Sequence, residues 1–225
     1  MATLKAGQVG IFNGKIGTVV VSKWKQLLVG RGAPGKRTKA GTATQMDQQA
    51  RFALVTNFIA IIGNCIKIGY KDKAVGNYSP HNIAVRDHLA NAVTGVYPNY
   101  EIDYPKVVVS SPPPLRPIDG PQNPELVAGE GNSLILNWEE QDYVESAEEK
   151  AIRDTDMMAI LAYDVNNQRV YFFRNLAQRS SLTHTFISRS IFQNRVYAAY
   201  VFFISADGKV VSKSEYAGMI DFIVG

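Results

Sequence analysis

A chain of 225 residues with 46% hydrophobic and 20% charged side chains reads as an ordinary soluble globular protein, and its single cysteine, Cys65, excludes an internal disulfide framework. The longest apolar stretch without a charge, 52–66, is 15 residues with Asn57 and Asn64 inside it, short of the about 20 that a membrane-spanning helix needs. The net charge of +4 hides an asymmetry: residues 1–124 hold 15 Lys and Arg against 6 Asp and Glu, residues 125–225 hold 9 against 14, and the first 46 residues carry eight basic side chains and no acid. The N-terminal "MATLKAGQVG" has no apolar core of signal-peptide length, so the expectation is a protein cytoplasmic at synthesis whose final location is left open, a virion or unconventional export included.

In chain order, "GIFNGKIGT" (10–18) comes first and has the residue types of a phosphate loop. A P-loop needs four residues between its glycines, a hydroxyl after the lysine, and a helix beyond, so that free N–H groups converge on phosphate. Here three residues separate Gly10 from Gly14, Ile16 follows Lys15, and the β-branched "IGTVVVSKW" comes next. The pattern predicts a tight turn at Asn13-Gly14 instead. Residues 16–24 and "LLVGR" (27–31) predict a hairpin, and "GAPGKRTKAGT" a loop. Thr44, with Asp47 three residues on, predicts a helix start. That helix runs to about Ile62 with two apolar stripes, Phe52–Val55–Ile59–Ile62 and Leu54–Phe58–Ile61, and is expected to be buried on most sides. Ser79-Pro80 predicts a second helix start, with Val85, Leu89, Ala92 and Val93 on its buried face and Gly95 as terminator. "YEIDYPKVVVS" returns to strand character.

Eight of the ten prolines lie between Pro98 and Pro124. Proline lacks the N–H and fixes φ, so "SSPPPLRPIDGPQNP" (110–124) reads as a semi-rigid extended linker. Beyond it the period is two. "SLILNW" turns Leu134, Leu136 and Trp138 inward; "MMAILAYDV" and "RVYFFRN" flank a hairpin turn at Asn166-Asn167-Gln168; "LTHTFIS" is a short strand. "NRVYAAYVFFISADGKVVSKSEYAG" contains a long strand, an Asp207-Gly208 turn and a final strand. Short strands separated by turns indicate a β-sandwich.

Tyr200-x-Phe202-x-Ile204-x-Ala206, the Asp207-Gly208 turn and Ser212-x-Ser214 resemble the last two strands of a fibronectin type III domain, and Trp138 stands where that family places a core tryptophan. The resemblance covers roughly 125–220 and implies binding or spacing rather than catalysis. The acidic insert "EEQDYVESAEEKAIRDTD" departs from it. The whole chain resembles an uncharacterised bacterial family found chiefly in Bacteroidota, through "NGKIGTVVVSKWK", "VGRGAP", "TATQMDQQARF", "VTGVYPNYEIDYPKV" and "SADGKVVSKSEYAG". It is a family of unknown function and supplies no activity.

Catalytic constellations are sparse. His81 and His88, seven apart with Asp87 adjacent, lack further ligands nearby in sequence, and His184 lies far along the chain. Cys65, in an apolar segment, reads as a buried thiol. The acids Glu139, Glu140, Asp142, Glu145, Glu148 and Glu149 contain no calcium-loop pattern and read as a solvated run. The basic region is the clearest clue: Lys15, Lys23, Lys25, Arg31, Lys36, Arg37 and Lys39 cluster with Trp24, a composition able to meet an acidic protein surface or a phosphate backbone.

The expectation is therefore a basic α+β domain over 1–110 with a β-hairpin arm and two helices, a Pro-rich linker over 111–124, and an all-β fibronectin-like sandwich over 125–225. The expected role is a non-enzymatic structural or interaction protein without cofactor or metal. It would assemble head to tail, its partner other copies of itself or another protein, as a virion component or a surface or extracellular filament, its basic arm meeting the acidic run as counter-surface. The alternative is a nucleic-acid-binding protein using the same arm.

Overall fold

The computed structural model describes residues 3–4, 12–24, 27–35, 40–74, 76, 78–112, 118–130, 133–140, 146–187 and 195–222. Two compact units divide between Gln45 and Met46. This differs from the expected boundaries of 1–110, 111–124 and 125–225.

The first unit contains a four-stranded antiparallel sheet in sequential order, β1 (Thr3–Leu4), β2 (Phe12–Ile16), β3 (Val19–Trp24) and β4 (Leu27–Gly32). The expected hairpin across 25–26 is present, with Trp24 paired to Leu27. The turn expected at Asn13-Gly14 is not there: both residues lie inside β2. The chain reverses at Gly17-Thr18, between the paired Ile16 and Val19. Gly17 has φ of +57°, the left-handed conformation that glycine adopts without a Cβ penalty. β-branched residues on both sides hold the strands, so the turn falls where the loop is two residues long.

The helix expected from Thr44 starts earlier, as α1 (Ala43–Ile61). Thr42 and Gln45 form a reciprocal cap: Gln45 N–H donates to Thr42 Oγ1 (3.3 Å) and Thr42 N–H to Gln45 Oε1 (3.2 Å). Val55, Phe58 and Ile59 are buried, whereas Phe52 stays 54% exposed, so burial is narrower than the two stripes implied. After an 82° bend comes α2 (Gly63–Gly69). No single described helix is long and apolar enough to cross a membrane. The third helix, α3 (Pro80–Asn91), begins as expected: Ser79 Oγ accepts from Asn82 N–H at 3.1 Å, and Pro80 occupies the first turn. It ends before Gly95, which lies in β5 (Val93–Val96), paired with β6 (Asn99–Ile102). At Tyr104–Lys106 the chain makes a 3-10 turn rather than continuing as strand.

Seven further strands make two sheets. One is β11 (Thr183–Ile187), β8 (Ser133–Glu139) and β7 (Gln122–Ala128), in that order. The other is β10 (Arg169–Phe173), β9 (Met157–Asp164), β12 (Arg195–Ile204) and β13 (Glu215–Phe222). A helix, α4 (Ala147–Asp154), lies between β8 and β9 in sequence. Pro124 sits in β7, at the edge of its sheet, where the register with β8 shifts between Gln122 and Glu125. An edge strand with an irregularity tolerates the missing N–H.

The four-stranded sheet is covered on both faces. Met158, Ile160, Ala199, Val201 and Phe203 pack with Leu136 and Trp138 of the other sheet. The alternate residues Ala159, Leu161, Tyr163, Ala198, Tyr200, Phe202 and Ile204 pack with Val55, Phe58, Ile59, Ile62 and Ile66 of the helices. The helices thus share a core with the strands. Residues 107–111 join this body: Ser214 Oγ accepts from Val109 N–H (2.9 Å) and Ser110 N–H (3.2 Å), and Ser110 Oγ donates to Ser212 O (2.6 Å). Ile118 bridges Ser212. The described ends of the proline-rich segment are therefore bonded into the fold; 113–117 lie outside the described residues.

Candidate interaction surfaces

Antiparallel register decides which basic side chains share a face, because directly opposed residues point the same way and neighbours along a strand alternate. Lys15 opposes Val20, and Val20 opposes Arg31, so the two cations flank one aliphatic side chain in a single row. Lys23 opposes Leu28 and belongs to the other face, with Ile16, Val19 and Val21. All three cations are exposed. The backbone of Trp24 closes the hairpin against Leu27, while Lys25, Lys36, Arg37 and Lys39 lie outside the described residues. The expected cluster is divided, among its described members, between the two sides of a sheet.

Uncovered aliphatics lie on both faces: Ile16 (46% exposed), Val19 (43%) and Leu28 (50%) on the Lys23 face, and Val29 (44%) on the face of Lys15 and Arg31. Unit 1 carries eight Lys and Arg and no acid, whereas all 20 acids, with 16 Lys and Arg, lie in Met46–Gly225. The nets at this boundary are +8 and −4, against +9 and −5 at residue 124; what the unit boundary isolates is a stretch with no acid at all.

The acidic run is partly spent on its own structure. Glu149 closes a capping box on α4, its carboxylate accepting from Ser146 N–H (3.1 Å) and Oγ (2.8 Å), which holds its pKa below the ordinary value. Glu140 pairs with Lys150, which also reaches Asp154 at 2.9 Å, and these hydrogen bonds raise the ammonium's pKa. Glu139 Oε2 accepts from Asn123 Nδ2 at 2.6 Å. Glu148 is exposed in the first turn of α4, one turn before the 73%-exposed Ile152. Asp142 and Glu145 lie outside the described residues. Sequence reading missed Lys150, which follows the run directly and pairs with Glu140 of the run and with Asp154 beyond it; the i,i+4 spacing to Asp154 was the available signal.

Other titratable groups serve the interior. Cys65 is buried, and desolvation pushes its thiol pKa far up, away from nucleophilic use. His88 is 2% exposed: Nδ1–H donates to Ala84 O at 2.7 Å, and Nε2 accepts from Val108 N–H at 3.3 Å. A groove of about 440 Å³ is lined by Phe58, Ile61, Tyr104, Tyr163 and Val165 among others, and burial pushes the Tyr163 hydroxyl up to about 12. Among the described residues, no three His, Cys, Asp or Glu side chains gather as metal ligands do.

A family model described as "Family of unknown function (DUF6266)" matches residues 11–218. The chain belongs to this family. Two solved structures are similar to the DUF6266 chain in part. One is the chicken interferon gamma receptor alpha chain, with 14% identity and a TM-score of 0.38, covering 56% of this chain and 57% of the receptor. The other is the FN5 domain of Drosophila Lar, with 15% identity and a TM-score of 0.33, covering 49% of this chain and all of that domain. Likeness at such TM-scores carries no argument about function. No curated protein matches this DUF6266 sequence.

Proposed function

We propose that this DUF6266 protein is a non-enzymatic structural or interaction protein that assembles head to tail with further copies, as a virion component or a surface or extracellular filament. The observation that carries the reading is the sheet of unit 1. It leaves Ile16, Val19, Leu28 and Val29 exposed on a segment holding eight cations and no acid. Exposed aliphatics within a charged surround favour a partner surface, and the net-negative remainder of the chain supplies the complementary charge on another copy. A basic patch meeting a different, acidic patch is a heterologous contact, which propagates into rings or filaments. The fibronectin-like reading of the seven strands fits a spacer between such contacts.

Light scattering and negative-stain imaging across ionic strength test the reading. Rings or fibres at low salt that dissociate as salt rises are the expected outcome; a strict monomer at every salt and protein concentration overturns it. The nucleic-acid alternative draws on the Lys15–Val20–Arg31 row. It requires affinity falling linearly with log salt, and an electrophoretic shift assay at low salt decides it.

A further inference from the structure

A second concavity, of about 330 Å³, opens within residues 46–225, and its polar lining comes from separate stretches of chain. Lys73 follows α2, Asp87 and Asn91 belong to α3, Lys106 ends the 3-10 turn, Ser111 follows it, and Lys213 precedes β13. Three ammonium groups against one carboxylate leave the lining net positive. Each of the three has a carboxylate partner, Asp87, Asp103 and Glu215 in turn, of which only Asp87 belongs to the lining.

The geometry separates a fixed cation from two exchangeable ones. Lys73 Nζ donates to Asp87 Oδ2 at 2.8 Å and Ser111 Oγ at 3.0 Å and lies 5.5 Å from the centre of the Tyr70 ring, which fixes its position and engages two of an ammonium's three donors in hydrogen bonds. Lys106 pairs with Asp103, and Lys213 lies 3.5 Å from Glu215; both lysine side chains are well exposed. Surface pairs of this kind are weak and readily exchanged. His88 also borders the cavity, but both its ring nitrogens are engaged by backbone.

We propose that this cavity binds a phosphate group, free or as a small phosphomonoester. Several point-charge ammonium groups, supplied by separate stretches of chain, suit a tetrahedral oxyanion with acceptors on every side. A planar carboxylate is matched instead by the arginine fork, and no arginine is among the described residues that line the cavity. Asn91 and Ser111 add neutral polar groups beside the charges. All these residues lie in the second unit, so the site is independent of the assembly reading.

Isothermal titration calorimetry on the full chain tests it, with inorganic phosphate, glycerol 3-phosphate and acetate at constant ionic strength. Saturable 1:1 binding of one or both phosphates is expected, and the tighter of the two identifies the free or esterified form. Affinity should fall at least tenfold in the Lys106→Ala/Lys213→Ala double variant, whose fold is checked by circular dichroism. It should be unchanged in Lys209→Ala, which lies outside the lining. No saturable binding of either phosphate, unchanged affinity in the double variant, or acetate binding as tightly as phosphate overturns the proposal.

Discussion

Arg179 Nη2 lies 3.0 Å from Asp156 Oδ2 with both side chains under a tenth exposed, and the guanidinium stacks 4.0 Å from the centre of the Phe203 ring. Arg179 also donates to Asp119 O at 2.8 Å, while its own carbonyl accepts from Trp138 Nε1 at 2.9 Å. Burial raises the carboxyl pKa of Asp156, and Arg179 pulls it the other way. Removing one member of such a pair strands a buried charge, at a cost of about 3–5 kcal/mol. Arg179→Ala is therefore expected to lower stability by about that amount in urea unfolding. Arg179→Met with Asp156→Leu should cost less than the single change, because no unpaired charge remains.

His88 is held neutral. Desolvation lowers its pKa from the ordinary 6.5, outweighing the Ala84 bond and Asp87, which act to raise it. Below 6.5 the unfolded chain takes up a proton that the folded one resists, so this contribution is complete above 6.5 and is lost as pH falls toward the folded value. The slope is at most roughly 1.4 kcal/mol per pH unit for one proton. Unfolding measured from pH 8 to pH 5 should steepen below 6.5 and flatten in His88→Gln. His184, also lowered by desolvation, contributes with the same sign, so His184→Gln serves as the comparison. An unchanged slope in His88→Gln counts against the assignment.

Gly69 closes α2 against residues 109–110. A Cβ there would stand 2.3 Å from Val109 O and 2.7 Å from Ser110 Cα, both backbone atoms that cannot rotate away. Gly69→Ala is expected to cost about 1–3 kcal/mol by overpacking. Gly63→Ala, with open space around the position, should be near neutral. Thermal unfolding of the pair of variants checks both.

If assembly uses the Lys15–Val20–Arg31 row, Lys15→Glu with Arg31→Glu should raise the concentration needed for assembly at least tenfold at low salt. Lys23→Glu, on the opposite face, should act separately. The wild-type contact should weaken once the Debye length shrinks to about 10 Å near 0.1 M salt. Equal assembly by wild type and the double variant would exclude this row as the contact.

Much of the local structure was legible. Ser79-Pro80, the 25–26 hairpin, the inward Leu136 and Trp138, and the Asn166–Gln168 turn all follow from short-range chemistry, and each is present. The cap of α1 was misplaced by two residues because two hydroxyls, Thr42 and Thr44, compete there; Gln45, three beyond Thr42, completes the reciprocal bonds. The three lysines of the 330 Å³ cavity were not legible, since Lys73, Lys106 and Lys213 are brought together only by folding.

One segment held more than period-two reading took from it. "VYAAYVFFI" in β12 is apolar without alternation, the pattern of a strand covered on both faces. It signalled that something beyond the second sheet packs on it; the helices do, which is why they share a core with the strands expected to form a separate domain.

The sequence by itself determined the Ser79-Pro80 helix start, the 25–26 hairpin and the concentration of positive charge in the first 46 residues, because capping, turn geometry and composition act over a few residues. Only the tertiary structure decided that Lys15 and Arg31 share a face while Lys23 does not, that Lys150 pairs with Glu140 of the acidic run, and that helices cover one face of the sheet of β9, β10, β12 and β13. Those outcomes depend on cross-strand register and on contacts between residues far apart in the chain, which local pattern does not encode.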